Sequence, residues 1–271
     1  MKLNLTRIFI VLLAVVFCYS ACKKAATKPA STSPITDADA AKQIALSLNQ
    51  SLTGQLGGTN INDGAKAPSS IVAGKKTKTV NSLNPLCGYV IDTAYTHLVL
   101  PGDTTEWLSG KFHFVYNCSS SYVDGYTVYD SLKVENYSPT FLDEYTNVQN
   151  YTFKATDSTY KSATLNGSIV TSISHEGITP PQIQNQFTSV YCNYQLKGLL
   201  VVNGSGTTDI TAGTATFTSE VRESNGPVGS KTYVVDYAGS IQYLGNHQAN
   251  LIITGGHTYL INFVTGAVTQ Q

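Results

Sequence analysis

Residues 249–263 read ANLIITGGHTYLINF, and this stretch decides the fold class of the chain. Apolar side chains recur at every second position on both sides of two glycines: Ala249, Leu251 and Ile253 before them, and Tyr259, Ile261 and Phe263 after them. A period of two is that of a strand with one buried face. Adjacent glycines accept positive φ at both turn positions, so Gly255-Gly256 predicts a two-residue hairpin.

The same alternation begins near residue 86 and continues to the carboxyl end, in residues 111–118, 127–135, 165–173, 214–222 and 233–243. Gly245-Asn246 and Asn225-Gly226-Pro227 mark further reversals. We count about eleven strands with no helical stretch between them, a pattern that favours antiparallel neighbours. Residues 86–271 are therefore predicted to be all-β: a large antiparallel, meander-like sheet, curled or folded into a barrel-like or sandwich-like form.

One helix is predicted before the sheet, over residues 36–54. Thr36 or Asp37 caps it and Gly54 ends it, and apolar residues recur at three- and four-residue steps: Ala41, Ile44, Ala45, Leu48 and Leu52. We expect this stripe to pack on the β domain rather than on a membrane, because the polar face carries little positive charge. Residues 55–85 lack periodicity and are rich in Gly, Asn, Ser and Lys, which predicts a mobile loop.

The amino terminus has the three parts of a secretory signal, over residues 1–21. Lys2 and Arg7 precede an apolar run of about ten residues, too short to span a bilayer. Ser20-Ala21-Cys22 resembles a bacterial lipobox, in which the cysteine is acylated and becomes the new amino terminus. We predict lipid (palmitate-type acylation) on Cys22, with residues 22–35 as a flexible tether. Ordinary secretion with Cys22 unmodified is the alternative.

Charge is distributed unevenly along a chain whose formal net charge is zero. Residues 23–80 contain eight lysines and three acidic residues, a net charge of +5, whereas residues 81–271 contain seven basic and fourteen acidic residues, a net charge of −7. A basic arm beside a lipid suits an anionic membrane surface. The alternative is that the lysines only keep a linker solvated. An acidic domain argues against nucleic acid as a partner.

Three of the five cysteines remain after signal removal and acylation, so at most one disulfide forms within the chain. Cys87 and Cys118 pair if their strands are neighbours, which an oxidising periplasm permits. Three buried free thiols are the alternative. Cys192 shares a strand face with Val190 and Tyr194, which indicates a core position.

No catalytic or metal-binding motif stands out. The five histidines lack HExxH or Cys/His spacing, and His175-Glu176-Gly177 is interpreted as a turn. Asn203-Gly204-Ser205-Gly206 resembles a nucleophile elbow only loosely. We therefore predict no catalytic residues, no metal, no cofactor and no enzymatic activity. The seventeen tyrosines suit either ordinary strands or an aromatic binding face.

Several stretches resemble a group of uncharacterised, β-rich Bacteroidota lipoproteins: Thr36–Ala41 after the lipobox, Cys87–Asp92, Gly110–Phe114, Val134–Tyr137, Tyr233–Tyr237 and Gly256–Ile261. The resemblance brings no activity. It implies an outer-membrane lipoprotein, and Lys23-Lys24 in place of acidic residues after Cys22 implies that it faces the periplasm, with the cell surface as the alternative. The Bacteroidota O-glycosylation pattern, Asp-Ser/Thr-small or apolar, is matched at Thr93, Thr104, Ser131 and Ser158, and at least one occupied site is expected.

These observations predict an envelope-anchored lipoprotein with a non-catalytic structural or interaction role. The membrane is reached through the amino-terminal lipid, and an envelope protein, lipid or glycan is the expected partner. The alternative is a carrier or binding module that holds an apolar ligand, or a glycan, on a Tyr-rich curved sheet.

Overall fold

One α-helix and twelve β-strands make up the part of the chain that the computed structural model describes, which is residues 35–56, 58–64, 76–77, 87–100, 102–119, 122–156, 158–179, 183–204, 208–225 and 231–271. Helix α1 is Asp37–Leu52, and a short 3₁₀ helix is Ile61–Asp63. The strands are β1 (Lys76–Thr77), β2 (Val90–Val99), β3 (Thr105–Ser119), β4 (Tyr122–Tyr137), β5 (Phe141–Ala155), β6 (Ser162–Thr179), β7 (Ile183–Asn203), β8 (Thr208–Asn225), β9 (Tyr233–Gly245), β10 (Gln248–Ile253), β11 (Thr258–Asn262) and β12 (Val268–Gln270).

The twelve described strands form a single sheet in which spatial order follows chain order from β1 to β12. Every pairing is antiparallel and joins strands that are consecutive in sequence. The all-β, antiparallel meander with one amino-terminal helix is therefore confirmed. Short connections make this the least demanding topology, since each strand meets its partner by folding back on the strand before it.

Helix α1 begins and ends where the sequence predicts. Thr36 has extended backbone angles, and its hydroxyl accepts a hydrogen bond from the backbone N–H of Asp39 at 3.1 Å. This hydrogen bond satisfies one of the four backbone N–H groups that a helix leaves unpaired at its start. Gly54 adopts φ +74° just beyond the last turn. The predicted apolar stripe is completely buried, because Ala41, Ile44, Ala45, Leu48 and Leu52 all have 0% exposure.

The sheet curls around this helix. Helix α1 contacts β6 and β7 and also β10, β11 and β12, strands that would lie far apart in a flat sheet. Side chains from both groups of strands join the helix in one core, among them Leu165, Tyr194, Leu251 and Ile261. The helix thus serves as the second layer that a sheet needs in order to bury one face.

Glycines mark the place where three neighbouring strands bend. Gly167 on β6, Gly198 on β7 and Gly213 on β8 all have positive φ, and the β6–β7 and β7–β8 registers shift beside them. A Cβ on Gly213 would lie 2.4 Å from the carbonyl oxygen of Gly198. Such bulges increase local twist and turn a sheet through a corner. The line of glycines therefore lets β6–β8 close over the helix.

Three local predictions differ from the structure. Within the predicted loop 55–85, Thr59 and Ile61 are buried, Ile61–Asp63 is helical and Lys76–Thr77 pairs with β2. Gly255-Gly256 belongs to a longer turn, closed by a hydrogen bond from Ile253 N–H to the His257 carbonyl at 3.1 Å. His175-Glu176-Gly177 lies inside β6 and pairs with β5 and β7, so the turn interpretation was wrong.

We expect Gly213→Ala to lower the free energy of unfolding by roughly 3 kcal/mol or more. The new Cβ would meet backbone atoms, at 2.4 Å from Gly198 O and 2.6 Å from Leu199 Cα, at a φ of +104°. Urea unfolding followed by tryptophan fluorescence and circular dichroism measures the change.

Gly255→Ala is the matched control, because Gly255 also has positive φ (+73°) but has no atom within 4 Å of the added Cβ. It should lose only about 1 kcal/mol, the ordinary penalty of a left-handed alanine. Equal losses of unfolding free energy in the two variants would show that the close packing of β8 against β7 at Gly213 does not support the bend.

Candidate functional site

A cleft of about 620 Å³ opens beside the carboxyl end of helix α1. Its walls come from the end of α1, the 3₁₀ helix, the adjoining ends of β7 and β8, the β9–β10 turn and the segment after β11. The lining residues are Asn49, Thr53, Gln55, Ile61, Asn62, Asn203, Gly204, Thr208, Asp209, Ile210, Tyr243, His247, Phe263 and Val264. The volume lies within the range of about 300–1,000 Å³ typical of small-molecule sites.

The β9–β10 turn forms a rigid corner of the cleft. Asn246 and His247 occupy the two turn positions between the paired residues Gly245 and Gln248, with φ of +53° and +55°. A two-residue turn with both φ positive matches the twist of its strands, and Asn tolerates that conformation well. Asp209 on β8 accepts a hydrogen bond from the His247 N–H at 3.1 Å, and its Oδ1 lies 3.5 Å from His247 Nδ1. The carboxylate therefore fastens the turn to the sheet.

Two aromatic rings form the apolar side of the cleft. Tyr243 and Phe263 stack with centroids 5.8 Å apart and planes 27° apart, and Val264 beside them is 72% exposed. The Tyr243 hydroxyl is buried and has no hydrogen-bond partner among the described residues. Burial raises the pKa of this hydroxyl above its usual value. A buried polar group without a partner is uncommon and is costly to leave unpaired.

Side-chain amides also line the cleft. Within the described ranges, the amides of Asn49, Gln55 and Asn62 make no hydrogen bond, whereas Asn203 accepts one from the Thr208 hydroxyl at 3.0 Å. Each amide offers two donors and an acceptor. The cleft lining therefore combines amides that have unused donors and acceptors with a stacked aromatic pair.

A layer of buried polar residues lies between helix α1 and the sheet. Ser47 hydrogen-bonds Thr171 on β6 at 2.5 Å, Ser51 donates to Asn147 on β5 at 2.7 Å, and the Tyr194 hydroxyl donates to the Ile44 carbonyl at 2.7 Å. Each bond has one geometry that satisfies both partners, so this layer sets the position of the helix along and across the strands.

Gln149 on β5 joins the helix to the segment that follows it. Its Nε2 donates to the carbonyl oxygens of Ser51 and Thr59, and its Oε1 accepts from the N–H and the hydroxyl of Thr59. Gln149 has 0% exposure and Thr59 has 1%. The segment containing Thr59 leads into the 3₁₀ helix, so Gln149 also places one wall of the cleft.

Asp130 on β4 is the cross-strand neighbour of Gln149 and has 1% exposure. Neither carboxyl oxygen has a hydrogen-bond partner among the described residues. Burial raises the pKa of this carboxyl to about 7, and the nearby backbone amide of Thr59 opposes the shift only in part. A Cβ on Gly58 would lie 2.7 Å from Asp130 Oδ2, so the segment after α1 lies directly over the carboxyl.

Of the cysteines singled out in the sequence, Cys87 and Cys118 form a disulfide, with Cα atoms 5.6 Å apart. Their pairing extends the β2–β3 ladder, which continues through hydrogen bonds between Tyr116 and residues 88 and 89. Cys192 is a buried free thiol under the helix, as the strand pattern predicts. The signal peptide, Cys22 and its tether up to residue 34 lie outside the described residues.

The four glycosylation candidates lie in different surroundings. Ser158 is exposed in the β5–β6 connection, and Thr104 is half-buried just before β3. Thr93 and Ser131 are half-buried within β2 and β4. Turn positions give an attached glycan more room, which favours Ser158 and Thr104.

The histidines do not converge. His113 lies 3.8 Å from Asp92, His175 contacts Asp143 at 2.5 Å, and His257 packs edge-on against Tyr259. Over the described residues, no group of three or more His, Cys, Asp or Glu side chains is placed to hold a metal ion. In the same ranges, no helix has the length and hydropathy needed to span a bilayer.

The sequence did not identify the residues of the cleft as a set. No short motif joins the lining residues, because they come from distant parts of the sequence. Asn49 and Asn62 lie near the amino-terminal helix, whereas Asp209 and His247 lie far along the chain and 38 positions apart. The one local signal was Gly245-Asn246, which marked the reversal where His247 lies. Comparisons with known protein families, curated proteins and solved structures give no match to this chain.

Asp130 predicts a pH-dependent stability. Because its folded pKa of about 7 lies above the ordinary value of 3.8, the folded protein keeps a proton that the unfolded chain has lost between these pH values. The free energy of unfolding should therefore fall as pH rises from about 4 to 7, by on the order of 4 kcal/mol. Tyr95 and Tyr151, both with pKa raised to about 12, stay protonated throughout.

In Asp130→Asn this fall should disappear, and the variant should gain stability relative to the wild type between pH 4 and pH 8. Asp103→Asn, which changes an exposed carboxylate in a turn, should keep the wild-type profile. Denaturant unfolding at a series of pH values distinguishes the two. A wild-type slope retained in Asp130→Asn would assign the pH dependence to another group.

Proposed function

We propose that this protein is a lipid-anchored, non-catalytic binding module of the bacterial envelope, which engages its ligand in the cleft beside helix α1. The observation that carries the proposal is the cleft itself, which combines unused amides, a stacked aromatic pair and a turn held by Asp209. Sites with these parts, built on a rigid sheet, are typical of ligand recognition.

Helix α1 fills the concave inner face of the sheet, which supports a binding module with an open cleft over a carrier that encloses an apolar chain. The inward side chains of helix α1, from Ala40 to Leu52, are packed among Phe, Tyr and Leu residues of the sheet with at most 2% exposure. An acyl chain would have to displace the helix and break its buried hydrogen bonds with Thr171 and Asn147. The cleft, by contrast, is open and lined by polar groups.

The contact between Asp209 and His247 favours binding over catalysis. The carboxylate accepts from the backbone N–H of His247, so its role in the structure is to hold a turn. The amino terminus supports the proposed anchor, because residues 1–21 have the pattern of a signal, Cys22 stands in a lipobox-like sequence and the lysines after it suit a membrane surface. Lys23-Lys24 favours the periplasmic side of the outer membrane.

Cys22→Ser should abolish incorporation of labelled palmitate and leave the signal peptide uncut, because a lipobox is cleaved only after its cysteine is acylated. Cys18→Ser, within the signal, is the control and should leave both properties unchanged. Palmitate incorporation retained in Cys22→Ser would contradict the proposed anchor.

Native mass spectrometry of the protein, extracted from its own envelope with a detergent that contains no sugar, should show a bound species. Asn62→Trp should remove it, because an indole on this exposed residue of the 3₁₀ helix projects from the cleft wall and occupies ligand space. Asn150→Trp, on an exposed position of β5 outside the cleft, should retain it. Equal occupancy in the two variants would argue against the cleft as the binding site.

A further inference from the structure

We infer that the ligand of this cleft is an uncharged saccharide, bound by its hydroxyl groups to the amide wall and by a ring face to the aromatic wall. The inference rests on the proposed function, since it names the ligand class of the same site. It is drawn from the chemistry of the lining residues, which fall into a group of amides and a group of apolar side chains.

The charge of the lining disfavours anions. No Lys or Arg is among the described residues that line the cleft, and Asp209 contributes a carboxylate. Phosphate, sulfate and carboxylate ligands are normally held by Arg or Lys, or by clusters of backbone N–H groups. An anionic ligand here would meet a like charge without a Lys or Arg to compensate it.

The same carboxylate is poorly placed to select a cation. Asp209 Oδ1 already accepts the His247 N–H at 3.1 Å and lies 3.5 Å from His247 Nδ1. A ligand ammonium would have to share or displace the contact that holds the β9–β10 turn. Neutral groups that donate to the remaining oxygen leave that contact intact.

The amide wall matches hydroxyl groups. A sugar hydroxyl donates one hydrogen bond and accepts others, and the side chains of Asn49, Gln55 and Asn62 offer both functions without a partner among the described residues. Several neighbouring groups of this kind recognise a ligand that bears hydroxyls on adjacent carbons.

The apolar lining residues match the apolar face of a sugar ring. Phe263 and Tyr243 stack on each other, and Val264 extends the apolar surface toward solvent. A pyranose carries its C–H groups on its faces and its hydroxyls around its edge, so one sugar ring offers a group suited to each kind of lining residue. A cleft of about 620 Å³ accommodates a short saccharide or the end of a longer one.

The test uses the full-length lipidated protein in a sugar-free detergent, with binding measured by saturation-transfer NMR and calorimetry. The neutral probes are lactose, mannobiose and N,N′-diacetylchitobiose. 3′-Sialyllactose is the anionic counterpart of lactose, and trialanine represents a peptide. We expect at least one neutral saccharide to bind, and both sialyllactose and trialanine to bind more weakly than that saccharide.

Asn62→Ala should weaken binding of that saccharide about tenfold, the effect of one hydrogen bond. Phe263→Leu, which keeps an apolar side chain but removes the ring, should also weaken it. Asn150→Ala removes an exposed amide outside the cleft and should have no effect. Thermal unfolding of each variant verifies that the fold is retained.

Preferential binding of sialyllactose or trialanine, absence of saccharide binding, or unchanged affinity in Asn62→Ala would overturn the inference. Its failure is separable from that of the proposed function. If the bound species from the native envelope still disappears in Asn62→Trp while no neutral saccharide binds, the cleft is a binding site for another ligand class. If neither result is obtained, both proposals fall.

Discussion

Burial of helix α1 against the inner face of the sheet is the interaction on which the rest of the structure depends. A single sheet exposes two faces to water, and its apolar inner rows need a second layer. One helix supplies it here, with Ala40, Ile44 and Leu48 at 0% exposure. The buried bonds of Ser47 and Ser51 then select one placement of the helix, because any shift would leave polar groups unpaired in the core.

The curl that this burial requires also builds the cleft. Strands β6–β8 bend at Gly167, Gly198 and Gly213, and the bend carries the far ends of β7 and β8 toward the end of helix α1. Gln149 brings the chain after the helix to the same place. The cleft therefore lies just beyond the end of helix α1, where the helix no longer covers the concave face of the sheet. The cleft walls are held in place by the packed core next to them.

Local sequence patterns predicted most of the helix and strands, but they did not predict contacts between segments that are distant in the sequence. Alternation in residues 111–118 and 249–263 gave strands with the correct buried face, because side-chain direction in a strand depends only on position. The burial of Thr59 was missed, since a single hydrogen-bonded residue needs no periodicity to dock on Gln149. Asp209 and His247 were likewise not associated, because their contact depends on strand register and curvature rather than on spacing.

The net charge of the folded domain and the charge of the cleft lining favour the same kind of ligand. Residues 23–34 contain three lysines and no acidic residue, whereas residues 35–271, which hold helix α1 and the sheet, contain twelve basic and seventeen acidic residues, a net charge of −5. On the proposed anchor, an anionic bilayer attracts the arm and repels the domain, and within about 10 Å at ordinary ionic strength this difference holds the domain away from the surface. Anionic solutes are repelled for the same reason before they reach Asp209. A neutral, hydroxyl-bearing molecule meets no such barrier, so the long-range field and the cleft lining select in the same direction.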